Sequence, residues 1–145
     1  MVGGVAAVLM ARAVTVHRIA EAIAYVESRG RYDAVGPIVP RTGDRAYGRY
    51  QVMGANVRAW SLDIIGRTVE PAEFLASPAL QDTIARTKFA ELFARYGSVQ
   101  DVASVWFSGR PLARAGNDAD VTGTTVPVYV QKVMQAFTNP PAVNV

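Results

Sequence analysis

Apolar residues recur every three or four positions along most of the chain, which is the spacing of amphipathic helices. Thr15 is suited to cap a first helix, and Gly30 is suited to end it. A loop containing several glycines and prolines follows, from Arg31 to about Tyr47. The next helix is predicted from about Ala55 to Ile65. The pattern predicts a mainly α fold.

Caps, prolines and glycines mark the helix boundaries in the second half of the chain. The predicted helices begin at Ser77-Pro78, Ser98 and Thr125, and they end at Gly97, Gly109 and Asn139. The polar stretch 110–124 is predicted to be a surface loop. These boundaries divide the chain into an apolar N-terminal segment (1–14), one helical domain (15–138) and a C-terminal tail (139–145) that we expect to be loose.

Composition narrows the chemistry available to the protein. The 145 residues are 50% hydrophobic, which is typical of a folded domain, and they include no cysteine and one histidine. We therefore expect no disulfide, no metal site and no cofactor. The net charge of +3 favours anionic partners, but the basic residues are scattered, so nucleic acid is not an expected partner.

The apolar opening of the chain, Val2 to Met10, is shorter than a bilayer-spanning helix. No basic residues precede it, as they would in a secretory signal. We therefore predict no transmembrane segment and no export signal, and we expect this segment to pack on the protein or on a partner.

Glu27 is a carboxylate where the pattern calls for an apolar residue. It follows Ala20 by seven positions and Ile23 by four, so it falls on the apolar face of the first helix. Burial and the negative end of the helix dipole both raise the pKa of a carboxyl group, which favours a proton donor near neutral pH. The alternative is a structural ion pair with a nearby arginine, for which the candidates are Arg29, Arg49 and Arg58.

Four segments of the chain resemble, in the same order, motifs of the soluble lytic transglycosylases. Glu27-Ser28-Arg29-Gly30 resembles the Glu-Ser segment of that family, and Gly48-Arg49-Tyr50-Gln51-Val52-Met53 resembles its Gly-Leu-Met-Gln segment. Val105-Trp106-Phe107-Ser108-Gly109 stands where the family has Ala-Tyr-Asn-Ala-Gly. Pro127 to Val133 is similar to its closing Tyr-Val-x-Lys-Val helix.

The resemblance implies a lysozyme-like domain of short helices around a substrate cleft. It implies cleavage of the bond between N-acetylmuramic acid and N-acetylglucosamine in peptidoglycan without water, which leaves a 1,6-anhydro ring. Glu27 would be the acid and base, and Gly48 would let a sugar approach the backbone closely. The residues that the resemblance assigns to substrate binding or to support of Glu27 are Ser28, Gly48, Tyr50, Gln51, Trp106 and Tyr129.

The loop that leads into Gly48 resembles versions found in phage structural proteins. This likeness implies an enzyme of the phage virion that acts in the host periplasm or cell wall, with other virion or tail proteins as partners. A bacterial periplasmic protein is the alternative location.

The chain departs from the family at four positions that bear on function. Arg49-Tyr50 replaces Leu-Met, Phe107 replaces asparagine, and Trp106 replaces a tyrosine, so that Trp106 either stacks on a sugar or packs in the core. Two other functions therefore stay open. One is a hydrolytic lysozyme with Asp33 or Asp44 as second carboxylate. The other is a virion structural or wall-binding domain without catalysis.

Overall fold

The computed structural model describes residues 2–142 and confirms a mainly α fold. The tail predicted for 139–145 therefore lies partly outside the described residues, and 139–142 are exposed. The helices are α1 (Val2–Ser28), α2 (Gly54–Ile65), α3 (Pro71–Ala76), α4 (Pro78–Tyr96), α5 (Val99–Ser108) and α6 (Val126–Thr138). Two short antiparallel strands, β1 (Ala46–Tyr47) and β2 (Val52–Met53), precede α2.

Most helix boundaries follow the caps seen in the sequence. Ser98 caps α5 by accepting a hydrogen bond from the backbone of Asp101 at 3.1 Å, and Gly109 ends the helix in the left-handed conformation with φ 80°. Gly97 follows α4 with φ 73°. The six-residue helix α3, which buries Phe74, was not predicted, and the predicted loop 110–124 contains a short 3-10 turn at Leu112–Arg114.

The predicted start of the first helix at Thr15 is wrong, because α1 already begins at Val2. The residues before Thr15 are mostly alanine, valine, leucine and methionine, and none of them is a proline that would interrupt the helix. Thr15 does not cap the helix. Its hydroxyl donates to the Ala11 carbonyl one turn earlier, at 3.0 Å.

The greater length of α1 also bears on the prediction that the chain has no transmembrane segment. Gly3–Ser28 is long and apolar enough to cross a membrane, with a mean hydropathy of 1.2 in its most apolar window, of which 11% is buried. Core helices of soluble proteins and signal sequences also reach this length and composition, so neither property assigns the helix to a membrane.

The described chain forms two compact units, and each has its own apolar core. The first contains the N-terminal part of α1, to residue 22, and everything from residue 89 onward; in it α5 and α6 pack together. The second contains residues 23–88, with α2 packed against α3 and β2. The fully buried side chains of the second unit include Ile23, Tyr50, Val52, Val57, Val69, Phe74, Gln81 and Ile84.

Candidate functional site

Glu27 is the penultimate residue of α1, and its side chain is half-buried. The helix ends directly after it because Arg29 and Gly30 both take left-handed conformations, with φ 57° and 82°. Ile23 and Ala24, one turn earlier, are completely buried. Glu27 therefore lies at the edge of an apolar core and is partly exposed to solvent.

Two of the three arginines considered as ion-pair partners for Glu27 have other contacts. Arg58 Nε lies 2.9 Å from Glu70 Oε2, and the Arg29 guanidinium stacks on the Tyr25 ring at 4.3 Å from its centroid. Both contacts draw these side chains to groups other than Glu27. The structural ion-pair explanation of Glu27 therefore rests on Arg49, the third candidate.

Ser28 connects the end of α1 to the segment that begins at Gly48. Its buried hydroxyl donates to the Arg49 carbonyl at 2.7 Å, and the Ala24 carbonyl is also within reach at 3.2 Å. Ser28 thus holds the residue before it, Glu27, beside the loop 48–51. The resemblance assigned Ser28 to support of Glu27 or of substrate, and the geometry provides support through the backbone.

Gly48 is tightly packed, but not for the reason the resemblance implied. It has a φ of 81°, and a Cβ added at this position would overlap the side-chain amide of Gln81. The space that we expected to admit a sugar is therefore filled by Gln81. Glycine is required here by the left-handed backbone and by that close contact.

Gln81 is a completely buried polar residue of α4 that the sequence analysis missed. Its Oε1 accepts from the Arg49 amide at 2.7 Å, while its Nε2 donates to the carbonyls of Tyr32 at 3.0 Å and Phe74 at 3.2 Å. The sequence did contain a signal for Gln81. Gln81 lies one helical turn before the buried Ala85, and Glu27 lies one helical turn after the buried Ile23. Gln81 and Glu27 are thus both polar residues on the apolar face of a helix.

Gln51 is held in place by its own neighbourhood. Its φ of 52° is unusual for a residue other than glycine, and its Nε2 donates to the carbonyls of Gly48 at 3.0 Å and Ala34 at 3.3 Å. A Cβ added at Gly36 would come within 2.8 Å of Gln51 Oε1. The half-buried Gln51 therefore fixes the backbone conformation of the loop 48–51. The resemblance predicts that this loop lines the substrate cleft.

Tyr50 is not placed to bind substrate, in contrast to the expectation from the resemblance. Its side chain is 0% exposed, and its hydroxyl donates to Asp82 Oδ1 at 2.6 Å. The reason is a hydrogen-bond network that the sequence analysis missed. Asp82 also accepts from the Tyr32 hydroxyl at 2.9 Å, and that hydroxyl accepts from Arg49 Nη1 at 3.0 Å.

This network sets the ionisation of Tyr50. Burial and the hydrogen bond to the Asp82 carboxylate raise the pKa of Tyr50 above its usual value of 10.0, and the nearby Arg86 lowers it by less. The neutral phenol is therefore the form that the native protein stabilises.

The raised pKa of Tyr50 predicts a loss of stability in alkali. Above about pH 10 the unfolded tyrosine ionises while native Tyr50 keeps its proton, so the free energy of unfolding falls by about 1.4 kcal/mol per pH unit from this group. Tyr50→Phe should remove this part of the slope in urea unfolding between about pH 10 and 12. Tyr96→Phe, which leaves Tyr50 intact, should retain it; equal slopes in both variants would contradict the prediction.

The two later motif segments lie together in the other unit, on α5 and α6. Phe107 stacks on Tyr129 with ring centroids 4.5 Å apart, and Tyr129 is 3% exposed. Trp106 lies against the buried Phe89 at 4.3 Å and is itself half-buried. The contact of Trp106 favours the core-packing role over sugar stacking, and Phe107 occupies the ring face of Tyr129.

The two loop carboxylates considered for hydrolysis have ordinary structural positions. Asp44 accepts from the backbone amides of Arg45 at 2.8 Å and Ala55 at 2.9 Å, so it fixes the turn that leads into α2. The side chain of Asp33 is 90% exposed and lies 3.9 Å from Arg31. Neither carboxylate shows the burial or contacts of a residue that holds a reacting water.

The described part of the chain contains no cluster of three or more histidine, aspartate or glutamate side chains that could hold a metal ion. The comparisons with known proteins add no relative: no family model, no curated protein and no solved structure matches the chain.

Proposed function

We propose that the protein is a peptidoglycan lytic transglycosylase with a lysozyme-like fold, in which Glu27 is the general acid and base. The observation that carries the proposal is the bond from Ser28 to the Arg49 carbonyl. It brings together the Glu-Ser segment and the Gly-Arg-Tyr-Gln segment, which are the two that the resemblance places around the catalytic glutamate.

The proposed reaction needs a single carboxyl group. Glu27 first gives its proton to the glycosidic oxygen, and the departing sugar leaves as an alcohol. The resulting carboxylate then takes the proton of the muramyl 6-hydroxyl, whose oxygen closes the 1,6-anhydro ring on the anomeric carbon. Glu27 is protonated again at the end, and no water is consumed.

The half-buried position of Glu27 suits both steps. Its neighbours one turn earlier, Ile23 and Ala24, are buried and apolar, and Glu27 itself is partly exposed, which is where a sugar oxygen would approach. The restrained loop 48–51, held by Ser28 and Gln81, supplies a rigid wall next to it. For Tyr129, the resemblance implies a hydroxyl that orients the catalytic glutamate.

A hydrolytic lysozyme is the second candidate function on the same glutamate. It needs a second carboxylate to direct water, and Asp33 and Asp44 have the exposed and turn-fixing positions described above. A non-catalytic wall-binding or virion domain is the third, and the burial of Tyr50 favours it by removing one predicted substrate contact.

The proposed setting follows from the same resemblance. The substrate is the glycan strand of peptidoglycan, and the enzyme would be part of a phage virion, where other virion or tail proteins are its partners and the host cell wall is its target. The net charge of +3 is suited to an anionic polymer.

The test is an analysis of reaction products. The purified protein is incubated with peptidoglycan, and the released muropeptides are identified by mass spectrometry. Fragments that end in 1,6-anhydro-muramic acid support the transglycosylase. Reducing ends show a hydrolase instead, and the absence of any product from the folded protein would favour the non-catalytic alternative.

A further inference from the structure

The N-terminal half of α1 is an apolar helix that the described protein leaves uncovered. Residues 3–14 are all exposed, Thr15 and Val16 are partly buried, and complete burial begins at Ile19 and Ala20. The large apolar side chains of this part are between 54% and 70% exposed; they are Val5, Val8, Leu9, Met10 and Val14. We call residues 3–14 the apolar arm.

The apolar arm has no polar side. At about 100° per residue, Val5 and Val14 point in opposite directions, and Val8 and Met10 are about 160° apart. Arg12 is the only charged residue of the arm. A partner protein or a second copy of the helix would cover one face and leave the other in water, whereas lipid chains cover a helix on all sides.

The hydropathy and charge of the apolar arm fit an anionic membrane. The helix that contains it has a mean hydropathy of 1.2 in its most apolar window, which is enough for a membrane segment. Arg12 follows at the depth of the headgroups, and no acidic residue occurs before Glu21.

From these observations we propose that the apolar arm inserts into the hydrocarbon of an anionic membrane and anchors the protein there. Val5, Val8, Leu9 and Met10 enter the hydrocarbon, and Arg12 binds lipid phosphates. The interaction is independent of the reaction proposed for Glu27.

The experiment is flotation of the full chain with vesicles of phosphatidylcholine and phosphatidylglycerol. The protein should float with the vesicles, and Leu9→Glu should lower the ratio of bound to free protein by at least about tenfold, because it places a charge in the hydrocarbon. Leu62→Glu is the matched control, since Leu62 is also an exposed leucine, at 56% against 60% for Leu9. It should float like the unchanged protein. Arg12→Gln should weaken the preference for anionic over pure phosphatidylcholine vesicles.

Three results would overturn the proposal. The protein could remain in the soluble fraction, or Leu9→Glu and Leu62→Glu could bind equally well, which would place membrane contact elsewhere. The third is a concentration-dependent dimer in sedimentation that Leu9→Glu abolishes, without flotation; the occupant would then be a second copy of the chain. Circular dichroism should show the same helicity in all variants, since both leucines are exposed.

Discussion

Glu27→Gln should lower the rate of glycan cleavage by about a thousandfold, which is the usual contribution of a general acid and base. Glutamine has nearly the same shape as glutamate, but it neither gives a proton to the leaving oxygen nor accepts one from the 6-hydroxyl. The rate is measured as release of soluble muropeptides from purified peptidoglycan. Because Glu27 is only half-buried, we expect the variant to fold and to bind glycan strands as the unchanged protein does.

A matched control separates the loss of the carboxyl from a change in helix α1. Glu21→Gln makes the same chemical change six residues earlier in the same helix. It should keep the activity of the unchanged protein, and both variants should show similar thermal unfolding. If Glu27→Gln cleaves peptidoglycan at the original rate, Glu27 is not the acid and base.

Gly48→Ala should produce the largest loss of stability among the glycine substitutions, about 3 kcal/mol in the free energy of unfolding. The added methyl group overlaps the buried side-chain amide of Gln81 and also takes a left-handed backbone with φ 81°. Gln81 has little room to yield, because its amide is bonded to the backbone of Arg49 and Tyr32. Urea unfolding at neutral pH measures the effect.

Gly66→Ala is the control for the backbone part of this effect. Gly66 has a similar φ of 77°, but a Cβ there meets nothing within 4 Å. The substitution should therefore cost about 1 kcal/mol from the left-handed conformation alone. A loss in Gly48→Ala no greater than that in Gly66→Ala would mean that Gln81 does not hold the loop 48–51 in place.

Local signals in the sequence were sufficient for most helices. Ser98 and Gly109 bound α5 because capping and left-handed termination depend on a few adjacent residues. The predicted cap at Thr15 was wrong because a threonine inside a helix can donate to a carbonyl one turn earlier, as Thr15 does to Ala11, and the surrounding sequence resembles that of a cap. The helix α3 is only six residues long, so it carries too few positions for a periodic pattern.

The sequence by itself determined the mainly α fold, the ends of most helices and the unusual position of Glu27, because each depends on spacing within one element. Only the tertiary structure decided the surroundings of the loop 48–51. Tyr32, Tyr50 and Asp82 share hydrogen bonds although up to fifty positions separate them along the chain. Gln81 and Gly48 are also far apart in the sequence, and tertiary packing places the Gln81 side chain against Gly48. Such contacts arise when distant segments pack together, and no local periodicity records which polar groups will meet there.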